Sequence, residues 1–310
     1  MRIFRHLAIL FLFTAPVAAL AALNAGDLPA NSQWYFHADF KEMRSTDAGR
    51  LLYGWLEDDV FDEVREDAGV DLNKEADSVT AFAVDGNGVV IIIDGNISQQ
   101  TQDKVLAMGA VAGGFDKLES AGHSYYYFEA DKHRRDDDAQ RNVDIDTDSF
   151  DGAAFVSFAI DNKLLLTSSE KGMQALLAEN GKVAGSGAAN GTMFVLRADR
   201  SFVQAGASAG DLGRTIDWDS NILRNTEHAA LLIADKAGKI AIEAQLVTTE
   251  KAMADSLASI VRGLISLQMF NAELDPAIAE FLQNTSVRVD DNKLTISVAL
   301  DPEVVVAAIK

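Results

Sequence analysis

Cysteine is absent from all 310 residues. That excludes disulfides, thiolate metal ligands, a cysteine nucleophile and a lipidated N-terminal cysteine, so the fold must be held by its packed core. Positive charge is scarce: 27 Lys and Arg stand against 47 Asp and Glu, a net charge of -20. Nucleic-acid binding needs a basic footprint to displace counterions from phosphate, and adsorption to an anionic lipid surface needs the same sign. The composition supports neither. Histidines 37, 123, 133 and 228 are scattered, without the H-E-x-x-H spacing that places two ligands on one helix face, which argues against a zinc site. No G-x-x-x-x-G-K-S/T loop occurs, and the glycines near 181–191 lack the G-x-G-x-x-G spacing, so nucleotide binding has no support. The chain is expected to need no cofactor. Long apolar runs are missing beyond the first residues; the longest strongly apolar one is Val89 to Ile93.

What is present begins at the N-terminus. Arg2 and Arg5 precede an apolar stretch, Leu7 to Phe13, followed by Ala18, Ala19, Ala21 and Ala22. This is the layout of a secretory signal peptide over 1–21, with Ala19-Leu20-Ala21 as the cleavage motif and Val17-Ala18-Ala19 as the second option. An uncleaved anchor needs about 20 apolar residues, and Pro16 interrupts this one. The expected protein is exported, bacterial, and periplasmic or secreted. Loss of Arg2 and Arg5 leaves 25 positive against 47 negative residues, or -22.

The stretch from Val79 to Met108 reads as strand, tight turn, strand, helix, and Ala229 to Ile260 reads the same way. Asp85 and Gly88 of the first turn stand 150 positions before Asp235 and Gly238 of the second. Asp39 and Asp199, closing two aromatic-led strands, are 160 apart, and the tetrapeptides beginning at Asp161 and Asp291 (Asp-Asn-Lys-Leu) are 130 apart. One duplicated unit with unequal loops accounts for all three offsets. The predicted organisation is a first repeat over 26–180, carrying an acidic insertion at 129–152, a glycine-rich linker at 181–191, and a second repeat over 192–310.

Strand patterning sets the class. Ile240, Ile242, Ala244 and Leu246 alternate with Ala241, Glu243 and Gln245, and Leu294, Ile296, Val298 and Leu300 alternate with Lys293, Thr295, Ser297 and Ala299. Such alternation belongs to an antiparallel sheet with one buried face and one wetter face. The fold class is therefore α+β: two duplicated units, each an antiparallel sheet with helices packed on one face. Helical stripes fall at Ala48, Leu51, Leu52, Trp55, Leu56, Val60 and Val64, and at Met253, Leu257, Ile260, Val261, Leu264 and Gln268. Ser45 or Thr46, Ser98, Ser168 or Ser169, and Thr248 are placed to cap helices. The unbroken run Val89–Ile93 predicts a strand that lies deeper, where the two halves meet.

Two motifs suggest chemistry. Gly206-Ala207-Ser208-Ala209-Gly210 matches the G-x-S-x-G elbow, in which a tight strand-to-helix turn presents the serine oxygen at the end of a parallel sheet. Ser208 would be the nucleophile and His228 its base, with Asp211, Asp217 and Asp219 between them. The antiparallel pattern is the wrong setting, so a serine hydrolase is the alternative reading. Asp144, Asp146, Asp148 and Asp151 could offer oxygens to calcium. Ser149 and Phe155 stand where an EF-hand loop requires glycine and a bidentate glutamate, and a solvated loop is the plainer reading. The leading expectation is a non-catalytic binding or interaction protein with an unnamed partner in the cell envelope. A carrier of a hydrophobic ligand is a further alternative, suggested by Trp34-Tyr35-Phe36, Tyr125-Tyr126-Tyr127-Phe128 and the apolar helix faces. The acidic run from Glu57 to Asp67 and the acidic insertion are the surfaces that differ between the units.

Overall fold

The computed structural model describes residues 29, 31–61, 65, 71–84, 86–111, 113–130, 153–183, 191–202, 225–270, 274 and 276–309. Twelve strands among them form one antiparallel sheet. These are β1 (Ser32–Asp39), β2 (Ser78–Val84), β3 (Gly88–Asp94), β4 (Gly113–Ser120), β5 (His123–Ala130), β6 (Ala153–Ser157) and β7 (Lys163–Thr167). They continue as β8 (Thr192–Asp199), β9 (Thr226–Lys236), β10 (Lys239–Thr248), β11 (Ser286–Asp290) and β12 (Lys293–Leu300). The spatial order is β11-β12-β10-β9-β8-β1-β2-β3-β7-β6-β5-β4. At the centre β1 pairs with β8, Trp34 opposite Ala198 and Ala38 opposite Phe194.

Short turns with left-handed residues make the hairpins. Ala237 (φ 56°) and Gly238 (φ 81°) join β9 to β10, and Ala121 (φ 51°) and Gly122 (φ 78°) join β4 to β5. Two successive positive φ values twist the chain in the sense the flanking strands require.

The eight helices described are α1 (Phe40–Ser45), α2 (Asp47–Leu56), α3 (Leu72–Glu75), α4 (Gln99–Val111), α5 (Glu170–Ala178), α6 (Lys251–Met269), α7 (Pro276–Gln283) and α8 (Pro302–Ile309). Side-chain caps start several of them. Asp39 accepts from the Glu42 N–H at 2.7 Å, Thr46 from Gly49 at 3.0 Å, Ser98 from Thr101 at 3.2 Å and Ser169 from Gly172 at 3.1 Å. Thr248 does not cap α6: its hydroxyl donates to the carbonyls of Glu250 and Asn292. Beyond Leu56 the chain widens into a π-helical turn, Glu57–Phe61, which drops Phe61 onto Phe40 and Tyr53. Leu51, expected in the inward stripe, is exposed, whereas Ala48 and Leu52 are buried.

Period-two alternation gives the sheet two distinct faces. Leu164, Ile93, Val79, Ala38, Phe194, Ile233, Ile242 and Val298 are successive partners across eight strands and define the near face. Helices α2 and α8 cover it over β9, β10 and β12 through Ala48, Leu52 and Val305. Helix α4 covers Phe128, Val156 and Leu164 through Val105 and Leu106, and the first turns of α6 cover Leu246, Leu294 and Ile296. On the far face α5 sets Met173, Leu176 and Leu177 against Val90, Ile92, Phe155 and Leu165.

Helices thus occupy both faces, where the strand pattern predicted one. The wetter face expected along β10 is buried at Ala241 and Glu243, and Ser297 beside them on β12 is buried too. The run Val89–Ile93 is interior because α5 packs on Val90 and Ile92 and the near-face cluster takes Ile93. It does not lie where the N- and C-terminal parts of the chain meet in the sheet, which is the β1–β8 pair.

Candidate functional site

The far face carries a polar row through the middle of the sheet. Reading across strands, Leu165, Ile92, Thr80, His37, Val195, Leu232, Glu243 and Ser297 are successive partners. All eight are buried. His37 Nδ1 lies 2.9 Å from Thr80 Oγ1. Burial lowers the His37 pKa from its ordinary value, against the opposing pull of Asp39 and Asp94. Glu243, 3% exposed, accepts from Gln245 Nε2 at 2.6 Å through Oε1, while Oε2 has no hydrogen-bond partner among the described residues.

Beside Thr80 a cavity of about 250 Å³ opens between Ile92, Gly181, Val183 and the Asp94–Lys163 ion pair that ties β3 to β7. Sites for drug-sized molecules run about 300–1,000 Å³ and are mostly apolar. This one is smaller and half its lining is charged or polar, so it gives no support to a hydrophobic carrier.

His228, the base in the hydrolase reading, lies on β9 opposite Asp199. Its Nδ1 is 3.5 Å from Arg197 Nη2. Burial lowers its pKa first, the Arg197 charge lowers it further, and Glu227 and Asp199 push back. Among the described residues no hydroxyl is hydrogen-bonded to it. Ser208 and the whole 206–210 motif lie outside the described residues, as do Asp144, Asp146, Asp148 and Asp151. Among the described residues no group of three or more His, Cys, Asp or Glu is placed to hold a metal ion. Of the acidic run, Glu57 accepts from Asn73 Nδ2, and most of 62–70 lies outside the described residues.

The surface feature that stands out is apolar. Helix α6 has 19 residues, about 28 Å at 1.5 Å per residue. Its first turns sit on β10 and β12, and Ala254, Leu257 and Ala258 are buried. Farther along, Arg262 Nη2 donates to the Val287 carbonyl at 2.9 Å, fixing the helix over β11 at the sheet edge. Around and beyond that tether large apolar side chains are open: Ile260 54% exposed, Leu264 42% and Leu267 69%, with Phe270 just after the helix 86%. Ile278 on α7 is 45% exposed beside them in sequence. Scattered exposed leucines are ordinary, but several on one helix with a single charge among them are not. Spacing alone placed Met253, Leu257, Ile260 and Leu264 on one inward stripe. The structure divides that stripe: Leu257 is covered while Ile260 and Leu264 are not, and the covered side runs on through part-buried Val261 and Ile265.

No protein family and no curated protein matches the chain. Among solved structures it is similar to three crystal forms of TP0453, each 11% identical. Form III gives a TM-score of 0.42 over 94% of this chain and 99% of that one, and form I gives 0.42 over 94% and 97%. Form IV gives 0.46 over 93% and 97%. Likeness at this level transfers no function. Among the described residues no helix is long and apolar enough to cross a membrane.

Proposed function

We propose that this is an exported, non-catalytic interaction protein that docks a partner through the apolar end of α6. The observation that carries the reading is the exposure of Ile260, Leu264, Leu267 and Phe270 on a helix that its own sheet only half covers. Exposed apolar surface of this extent is retained where something covers it. Among the described residues, buried His37 lies against Thr80, part-buried His228 lies beside Arg197, and the far-face row is buried.

The scaffold presenting the helix is read as one α+β plan used twice, over 26–180 and 192–310, joined through 181–191. Strand order supports this. Away from the β1–β8 pair it runs β2-β3-β7-β6 on one side and β9-β10-β12-β11 on the other, with β4 and β5 added at the first end. Asp39 and Asp199 close the two central strands, and each accepts the N–H three residues on. The signal-like 1–21 supports export; N-terminal sequencing of protein recovered from the periplasm should begin just after Ala21 or Ala19.

An environment-sensitive dye that brightens on apolar surface tests the docking surface. Wild type should bind it, and the double change Leu267→Ser with Phe270→Ser should remove most of the signal while leaving the unfolding midpoint unchanged. A wild-type protein that leaves the dye dark at dilutions where it is monomeric would end this reading.

A further inference from the structure

We infer that the partner of this surface is a second copy of the chain, paired antiparallel along α6. The inference rests on the reading of the apolar end as a docking surface. Met253, Leu257, Ile260, Leu264 and Leu267 follow one another at spacings of four, three, four and three. That is the 3.5-residue repeat of a seam between two helices, in which each apolar side chain inserts between those of the facing helix. The sheet takes Met253 and Leu257, and the remaining three are left open. A partner helix is the shape that fits an interrupted seam.

Charge favours a like partner at short range. The positions flanking the open seam are Val261, Gly263, Gln268 and Phe270, none of them charged. Arg262 points away to the Val287 carbonyl. Two chains of net charge -20 repel at a distance. That repulsion is screened beyond about 8 Å at physiological ionic strength, and nothing charged is brought together at the seam itself. Pairing through apolar contact between like-charged bodies therefore tightens as salt rises, the opposite of an interface built on ion pairs.

The area is sufficient. A large apolar side chain exposes about 200 Å² when fully open. With exposures of 54%, 42%, 69% and 86%, Ile260, Leu264, Leu267 and Phe270 leave on the order of 500 Å² uncovered per copy, about 1,000 Å² for the pair, which reaches the threshold of a specific interface. A two-fold axis makes the contact self-complementary and closed, so it stops at the dimer. Leu264, in the middle of the open seam, then faces its own counterpart.

Because the chain has no cysteine, a single introduced thiol reports that geometry without interference. Leu264→Cys should oxidise readily to a disulfide-linked dimer, whereas Ser259→Cys, exposed on the polar side of the same helix, should not. Sedimentation equilibrium should show a wild-type dimer that tightens with added salt. Leu267→Glu should weaken it at least about 30-fold, the loss carried by a central anchor, with an unchanged unfolding midpoint. A wild type that stays monomeric at every concentration while still binding the dye overturns the second copy as partner and leaves the docking surface standing. A wild type that neither pairs nor binds dye overturns both. Dimers that survive Leu267→Glu, or that cross-link equally through position 259, place the contact elsewhere and also overturn the inference.

Discussion

His37 Nδ1 lies 2.9 Å from Thr80 Oγ1, and both residues are buried in the middle strands of the sheet. Burial makes the protonated imidazole unfavourable there, and the His37 pKa falls below 6.5. In the unfolded chain the same ring titrates near its ordinary value, so on acidification the unfolded state takes up the proton first. The stability His37 contributes is present above pH 6.5 and is lost as pH falls towards the folded-state value. His228, lowered mainly by burial and by Arg197, acts in the same direction. Urea unfolding between pH 7 and pH 5 should show stability declining for wild type and declining less for His37→Gln. Equal slopes in the two proteins would remove His37 from the acid response.

Helix α4 is started by a residue far from it in sequence. Glu75 accepts from the Ser98 N–H at 3.1 Å, the Ser98 hydroxyl at 2.7 Å and the Thr101 hydroxyl at 2.8 Å. A carboxylate at a helix N-terminus also answers the partial positive charge there. Glu75→Ala should cost about 1.5–3 kcal/mol, as hydrogen bonds to charged groups do. Glu75→Gln, which keeps an acceptor, should cost clearly less. Chemical denaturation of the pair settles this, and indistinguishable losses would mean that charge has no part in the cap.

Two helical glycines should respond to alanine with opposite signs. Propensity alone favours alanine in a helix by about 1 kcal/mol. At Gly54 nothing lies within 4 Å of where a Cβ would stand, so Gly54→Ala should be stabilising. At Gly109 that Cβ would sit 1.8 Å from the ring of Phe128, a buried residue at the centre of the α4 contact. Overpacking of this kind costs about 1–3 kcal/mol and outweighs the propensity gain. Thermal melts of both variants are the check; a raised melting temperature for Gly109→Ala would show that α4 does not lie so close to β5.

Tyr35 pairs with Phe82 and Arg197 at the midline, and burial raises its pKa to about 12. In an ultraviolet titration it should remain protonated after exposed tyrosines have ionised, and Tyr35→Phe should delete that late step alone. The linkage runs opposite to that of His37. The contribution is complete below pH 10, where the unfolded phenol holds its proton, and fades as pH rises towards 12. Loss of an early step instead would place Tyr35 at the surface.

Local rules carried well from sequence to structure. Ser98, Ser169 and Thr46 cap the helices they precede, and the turns at Asp235–Gly238 and Asp161–Asn162 join the expected strands. These features depend on a few adjacent residues. What was missed depends on distant ones. The edge strand β4 was not foreseen, because Gly113, Gly114 and its three charged residues look like a loop until β5 pairs with them. Charges of this kind are suited to an edge, where they discourage further pairing. Burial of Glu243 was invisible for the same reason: alternation along β10 tells which residues share a face, not what covers that face. The division of the α6 stripe follows from which side of the helix meets the protein body, Val261 and Ile265 rather than Ile260 and Leu264, and no helical period encodes that.

The β1–β8 pair also fixes when the sheet can be completed. Asp39 and Asp199, the last residues of the two strands, are separated by 160 positions. As the chain emerges from its N-terminus, β1 waits for its second partner until those positions have followed it. Through that interval β2 can shield one side of β1, while the side that will meet Phe194–Ala198 stays open. An unpaired apolar edge of this kind is a template for wrong pairing. The nascent chain therefore passes through a stage in which its most central strand is its most exposed one, and that stage ends only when β8 arrives.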